Sequence, residues 1–287
     1  MGNPFIPFPR CENIIIVGDA AAEYLGALRI YGRGLIGGDV PSMELLHPME
    51  KHLECVSCFL NDPTQVLMPA VRRMKADFVV LEENGSADFN PAAGREALEK
   101  EGISVKMLDV RGSTESVLRR AGKLFGEEKQ AERIIRERTE RLAALDDVRK
   151  SIRKGQKAAI FLAIRSPVRH ESYVFRISER SALSQLLTNT FAIENINVRP
   201  NAEERIPGIQ ELDDLSDLFE KNPDLIVYTG DAAACGQKIT EFIRKHPQFA
   251  ECNAVKNGRI YGAPYYCHAL DLRRHEILEA WSDVLAD

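Results

Sequence analysis

The densest group of metal-capable side chains lies in one short stretch, His47, His52, Cys55 and Cys58, spaced H-x4-H-x2-C-x2-C. Two thiolates separated by two residues can share one tetrahedral ion, and two nearby imidazoles would complete a Cys2His2 set. Zinc patterns of that type place the second ligand pair further along the chain, so the spacing matches on one side only. The same cysteines could instead form a local disulfide in an exported protein, or remain buried thiols; the sequence leaves all three readings open. A second run, Tyr265-Tyr266-Cys267-His268, also carries groups able to ligate iron, with a buried Cys267 beside a surface His268 as the plainer reading. No G-x-x-x-x-G-K-[ST] or G-x-S-x-G occurs, and no nucleophile-base or acid-base pair stands out, so a catalytic role is not expected. The glycine-rich GRGLIGG lacks the strand before it and the helix after it that a dinucleotide site requires.

Composition narrows the classes further. The chain has 287 residues and a formal net charge of -5, long enough for two α/β lobes and wrong in sign for a nucleic-acid partner. No apolar run approaches the roughly 18 residues of a membrane span, so no membrane insertion is expected. The opening MGNPFIPFPRCEN has no basic region followed by an apolar one. The expected location is therefore periplasmic or cell-surface anchored if a leader has been removed, and cytoplasmic if the given chain is full length. Six cysteines are too few to staple a chain of this size.

The elements that must position these groups alternate between strand and helix. Apolar runs predict strands over Asn13–Val17, Leu35–Ile36, Asp77–Leu81, Gly102–Leu108, Lys157–Ile164, Asn222–Tyr228 and Arg259–Tyr261. Helical spacing follows Asp19 and covers Asp62–Lys75, Asn90–Glu101, Ser181–Phe191, Leu212–Glu220, Gly236–Lys245 and Asp271–Leu285. Strands separated by helices predict parallel sheets with helices on both faces. KADFVVLEE and NPDLIVYTGD each place Asp just before an apolar strand, a local echo between the two halves.

Between the halves, Glu127–Arg153 contains no Gly or Pro and would form a helix about 40 Å long. Ala131, Ile134, Ile135, Leu142, Leu145, Val148 and Ile152 give it one apolar stripe, which Arg138 interrupts. That interruption, and the small number of heptads, argue for a strut rather than a coiled coil. The predicted organisation is an N-terminal α/β lobe over 1–126, a connecting helix over 127–154 and a C-terminal α/β lobe over 155–287.

In open α/β sheets ligands sit beyond the carboxyl ends of the strands. The loops there offer Asp19, Asp39, Glu83 and Asn84 in the first half. In the second half they offer Arg165, Arg169, His170, Tyr173, Asp231, Tyr265, Tyr266 and His268. Guanidinium forks bind carboxylates and aromatic faces cover flat ligand bodies, so this set would suit an anionic chelate.

The order of these segments resembles the substrate-binding proteins of ABC importers that carry a single long helix, the class that takes up siderophores, haem and cobalamin. AEYLGAL with GLIGGD resembles the opening helix and second strand of that family, and KADFVVLEE with GISVKMLDV its later N-lobe strands. LFGEEKQAERII resembles the entry into the long helix, and NPDLIVY and NAVKNGRIYGAP the most recognisable C-lobe segments. The resemblance implies two Rossmann-like lobes with central parallel sheets, joined by one long backbone α-helix, with the ligand in a cleft between them. It further implies a small-molecule metal chelate as cargo, ABC permease subunits as partners, no catalysis, and no required cofactor beyond iron within the bound ligand. The permease-docking carboxylate of the family has no clear match: Gln65 and Pro69 occupy the first-lobe region, and Glu211, Asp213, Asp214 and Asp217 compete in the second. The other reading is a leaderless intracellular metal- or metal-complex-binding protein using His47, His52, Cys55 and Cys58.

Overall fold

The chain starts its first sheet region with β1 (Arg10–Cys11), followed by β2 (Ile14–Val17), a run of four fully buried β-branched residues. The computed structural model describes residues 10–37, 47–165, 172–197, 208–211, 214–262 and 271–286. By its internal contacts it divides into two units, Met1–Glu140 and Arg141–Asp287.

In the first unit β2 leads into α1 (Asp19–Ala27), β3 (Ile30–Tyr31), β4 (Gly34–Gly37) and β5 (Lys51–Cys55). Then come α2 (Val56–Asn61), α3 (Pro63–Met74), β6 (Phe78–Glu83), α4 (Arg95–Lys100), β7 (Val105–Asp109) and α5 (Thr114–Phe125). The sheet order is β5-β4-β2-β6-β7 and all pairs are parallel, while β1 and β3 make a separate parallel pair. β2 is central because Ile14, Ile15, Ile16 and Val17 can fill both faces at once. The chain adds β4 and β5 on one side of it and then β6 and β7 on the other. The strand order therefore reverses between β2 and β6, the position at which doubly wound sheets open a crevice at their carboxyl edge.

β5 carries a register shift: Leu35 pairs with His52 and Ile36 with Glu54, leaving Leu53 as the extra residue of a bulge. Leu53 packs over Gly34, where any Cβ would come within 2.6 Å of its Cδ1. Downstream, the Asp62 side chain accepts a hydrogen bond from the Gln65 amide at 2.9 Å, and Pro63 occupies the first turn of α3, where it forfeits no helical bond.

The second unit follows α6 (Glu128–Ser151), whose length carries it across the unit boundary at Glu140/Arg141. Its elements are β8 (Lys157–Arg165), β9 (Ser172–Ile177), α7 (Ala182–Phe191), β10 (Glu194–Asn195), β11 (Ile209–Glu211), α8 (Ser216–Glu220), β12 (Leu225–Gly230), α9 (Ala232–Lys245), α10 (Asn253–Lys256), β13 (Ile260–Gly262) and α11 (Arg274–Ala286). The order is β11-β9-β8-β12-β13, with β10 paired to the start of β8. β8, β12 and β13 are parallel, as expected, but β9 and β11 add an antiparallel edge that apolar runs alone did not predict. One face is covered by Trp281 of α11 and Leu187 of α7, the other by Phe219 of α8 with Ile239 and Phe242 of α9.

The long helix is buried at Ala131, Arg138 and Leu145, and Ile152 just past its end continues the seven-residue spacing. Ala131 lies against Gly122 of α5, while Leu142, Leu145 and Ile152 join the core of the second unit. Arg138 is the buried residue that breaks the apolar stripe, and it bonds Glu115 of α5 at 2.9 Å. Val148, expected within the stripe, is exposed. A rod this solvated keeps its shape through helix propensity and i,i+3 or i,i+4 pairs such as Asp147–Lys150 and Arg133–Glu137.

Helix α1 starts without a side-chain cap, because its N-cap residue is Gly18 at φ 119°. Glu82 of β6 replaces that cap: it is 6% exposed, and its Oε2 accepts from the Ala21 amide at 2.9 Å. Any larger residue at position 18 would collide with the Glu82 side chain. A carboxylate of this chain thus occupies the helix N-terminus at the switch point, where the dipole favours negative charge. Replacing Glu82 by Ala is expected to cost about 2 kcal/mol, the loss of a charged hydrogen bond and cap. Urea unfolding checks this, with Glu82→Gln retaining most of the stability through its remaining acceptor.

Candidate functional site

At the carboxyl edge of the first sheet, the loop after β6 is held by its own side chains. The Asn84 Nδ2 donates to Glu82 Oε1 at 2.8 Å and to the Phe89 carbonyl at 2.9 Å, while Asn84 Oδ1 accepts from the Ser86 amide at 2.9 Å. Glu83 Oε1 accepts from the Gly85 amide and from Asn90 Nδ2, both at 2.9 Å. Each residue predicted here, Glu83 and Asn84, therefore shapes the loop before it can touch anything else. The loop delivers Phe89 to the surface at 58% exposure, an aromatic that sequence reasoning did not single out. Beside it a depression of about 460 Å³ is lined by Leu60, Glu83, Ser86, Asp88, Asn90 and Ala93.

The adjacent strand end carries a second polar group. Arg111 grips Asp109 through Nε at 2.8 Å and Nη2 at 3.0 Å, and Arg120 Nε donates to the Asp109 carbonyl at 2.8 Å. The Arg111 side-chain bonds are the main reason the Asp109 carboxyl is held down at about 2. Asp19, predicted to be displayed in the loop after β2, is instead buried in the first turn of α1. Asp39 lies outside the described residues.

In the second unit, Asp231 serves as the N-cap of α9, its Oδ1 accepting from the Ala234 amide at 2.9 Å. Gly230 before it has φ +86° and passes so close to the Ala163 carbonyl that no Cβ fits, which fixes the turn out of β12. Tyr173 opens the exposed part of β9, opposite Ile164. Arg165 ends β8. Arg169, His170, Tyr265, Tyr266 and His268 lie outside the described residues. A depression of about 510 Å³ lined by Lys157, Thr188, Glu194 and Lys221 lies at the amino end of β8, away from the edge where ligand loops gather.

The four-residue His/Cys set does not assemble as its spacing allowed. His47 is buried with Nδ1 3.4 Å from Glu50, whose Oε1 accepts from the Gly32 amide at 2.7 Å, so this histidine braces a turn. His52 sits within β5, paired with Leu35 of β4. Among the described residues, the ligand atoms that lie within 4.8 Å of one another are those of Glu54, Cys55 and Cys58. Cys55 and Cys58 are free thiols with their sulfurs 3.0 Å apart. The hydrogen bond shared with Cys55, then partial desolvation and the nearby Glu54 carboxylate, push the Cys58 thiol up to about 11. Cys235 and Cys252 are buried, and burial pushes Cys235 up to about 12, which makes it unreactive.

The Asp109–Arg111 pair gives a pH-dependent contribution of known sign. The folded carboxyl titrates below its ordinary value of 3.8, so its stabilisation is complete above about pH 4 and lost as the pH falls toward 2. Both side chains are partly solvated, and screening keeps the effect small. Carboxyl NMR titration should show Asp109 moving up toward the ordinary range in Arg111→Ala.

The chain resembles known proteins over almost its whole length. The periplasmic haem-binding protein RhuT from Roseiflexus sp. RS-1, in apo form, superposes with a TM-score of 0.62 at 14% identity, covering 96% of this chain and 98% of that one. A periplasmic haem-binding protein from Pseudomonas aeruginosa gives 0.58 at 15% identity, with coverages of 97% and 92%. The triscatecholate siderophore-binding protein FeuA from Bacillus subtilis, complexed with ferri-bacillibactin, gives 0.56 at 20%, with coverages of 98% and 94%. At these identities the likeness establishes the fold. No curated protein sequence matches the chain. None of the described helices is long and apolar enough to cross a membrane. The family model described as "Periplasmic binding protein" matches residues 60–266, across the strands, loops and long helix set out above, and the chain belongs to that family.

Proposed function

We propose that this protein is the substrate-binding component of an ABC importer and that its cargo is an iron chelate or haem. The observation that carries the reading is the family match over residues 60–266, which runs through both units. It is supported by solved structures of the same fold whose names refer to haem and to ferri-bacillibactin. A corrinoid is a further cargo of the same chemical kind, and iron enters as part of the ligand rather than as a resident cofactor. The partners on this reading are the permease subunits of the importer, and the site of action is outside the cytoplasm.

The cargo would contact the carboxyl-edge loops. In the first unit Phe89 offers an aromatic face to a flat or apolar ligand body, on a loop that Glu83, Asn84 and Asn90 hold in shape. In the second unit the proposed contacts are Arg165, Arg169 and His170 for anionic groups, with Tyr173, Tyr265, Tyr266 and His268 as aromatic or metal-facing partners. Asp19 and Asp231 are set aside as direct ligands, because the first is buried in α1 and the second caps α9.

A thermal-unfolding screen against ferric siderophores, haem, corrinoids and free ferric iron tests the proposal. One chelate class should stabilise the protein, by about 2.7 kcal/mol at a ligand concentration of 100 Kd. Phe89→Ala should weaken that ligand about tenfold with little change in the unliganded melting temperature, because the ring is exposed. Stabilisation by a metal-free solute, with none from any chelate or tetrapyrrole, would overturn the cargo assignment.

A further inference from the structure

A CxxC pair sits at the carboxyl end of β5, where Cys55 is the last strand residue and the N-cap of α2, and Cys58 lies in the helix's opening turn. Strand pairing fixes its base, since Cys55 lies opposite Gly37 of β4. Three hydrogen bonds organise the group. The Cys58 amide donates to Cys55 Sγ at 3.3 Å, Cys55 Sγ donates to Cys58 Sγ at 3.0 Å, and the Cys55 amide donates to Glu54 Oε1 at 3.0 Å. The last bond holds the Glu54 carboxylate beside the two sulfurs, so all three ligand atoms lie within 4.8 Å of one another. Glu54 and Cys58 are exposed and Cys55 is partly so, which leaves an open approach from solvent.

We propose that Glu54, Cys55 and Cys58 form a binding site for a thiophilic divalent cation of the zinc type, held by two thiolates and one carboxylate with the remaining position open. A tetrahedral ion with metal–sulfur bonds of about 2.3 Å keeps two sulfurs roughly 3.7 Å apart. The present separation of 3.0 Å is reached from that geometry by a shift of under about 1 Å, which side-chain rotation of the exposed Cys58 supplies. Binding releases the two thiol protons to solvent and replaces the sulfur–sulfur hydrogen bond with two metal–sulfur bonds. The amide bonds to Cys55 Sγ and Glu54 Oε1 remain and orient both ligands. The ligand set differs from the spacing-based one: Glu54 takes the place of His47 and His52. It is also independent of which cargo the protein carries.

Cobalt titration of the reduced, metal-free full chain tests the site, with Co2+ as a spectroscopic probe and Zn2+ as competitor. The expected result is saturation at one ion per chain, a thiolate-to-cobalt charge-transfer band, and displacement by Zn2+. Cys55→Ser and Cys58→Ser should each abolish the band, whereas Cys11→Ser should leave it intact. Serine caps a helix as well as the residue it replaces here, so Cys55→Ser should leave the circular dichroism unchanged. Glu54→Gln should weaken binding about tenfold. A reduced wild type without the band, or a band that survives Cys55→Ser, overturns the site. So does a pair that a disulfide oxidant crosslinks but that never binds cobalt, which would make it a redox dithiol. Chelate binding should persist in Cys55→Ser, so failure of this site and failure of the cargo reading are separately visible.

Discussion

Everything at the functional edge of this protein depends on strands that are buried on both faces. β2 has neighbours on each side and contributes four residues without exposed surface, so neither its pairing nor its direction can change without opening the core. Parallel pairing then imposes a second constraint, because each strand must be followed by a return crossover before the next can start. All five strands of the first sheet therefore finish at one edge, and Gly37, Cys55, Glu83 and Asp109 arrive there together although they are far apart in sequence. In the second unit Asp224 performs a related task at the other end. Its carboxylate accepts from the Lys157 amide at 2.9 Å and ties the start of β8 to the approach to β12.

These constraints also explain what could be read from the sequence. Strands buried on both faces must be uninterrupted apolar runs, and NIIIV, KADFVVLEE and KAAIFLAI announced themselves. Strands outside the parallel centre of each sheet escape that rule. KHLEC becomes β5 with none of its residues fully buried, and SYVFRI becomes β9 even though it contains Arg176. That arginine is fully buried because Asp217 takes it in a two-pronged pair at 2.8 and 2.9 Å, a partner supplied by α8 and invisible to any local pattern. The long helix was legible in length and not in detail. Its stripe suggested broad packing, whereas burial at every seventh position leaves most of the rod in water, Val148 included.

The candidate site was legible as an edge of the sheet more than as a list of residues. The rule that loops at carboxyl ends carry function pointed to Glu83 and Asn84, but it does not distinguish a ligand contact from a side chain that shapes its own loop. Asp231 precedes the run Ala232–Lys245, and an acidic residue immediately before a helix is first of all an N-cap. Glu82 gave a subtler signal. Gly18 cannot cap α1, so another acceptor had to be supplied, and the neighbouring strand end was the nearest source. The spacing H-x4-H-x2-C-x2-C carries no signal for Glu54, since it points to histidines, and His47 lies against Glu50 instead.

The electrostatics of the first unit's edge bear on how it would treat a charged cargo. Its carboxylates are numerous, and the inner ones are already engaged: Glu82 by the α1 amide, Glu83 by an amide and Asn90, Asp109 by Arg111. Arg111 balances Asp109 and lies 3.8 Å from Glu83, whereas the amide bonds to Glu82 and Glu83 hold their carboxylates in place without removing the charge. If the cargo is an anionic chelate, as proposed, recognition on this side falls to shape and to the ring of Phe89. The Arg111 pair and the amide bonds thus fix where these carboxylates point, and Arg111 offsets part of their charge at this edge.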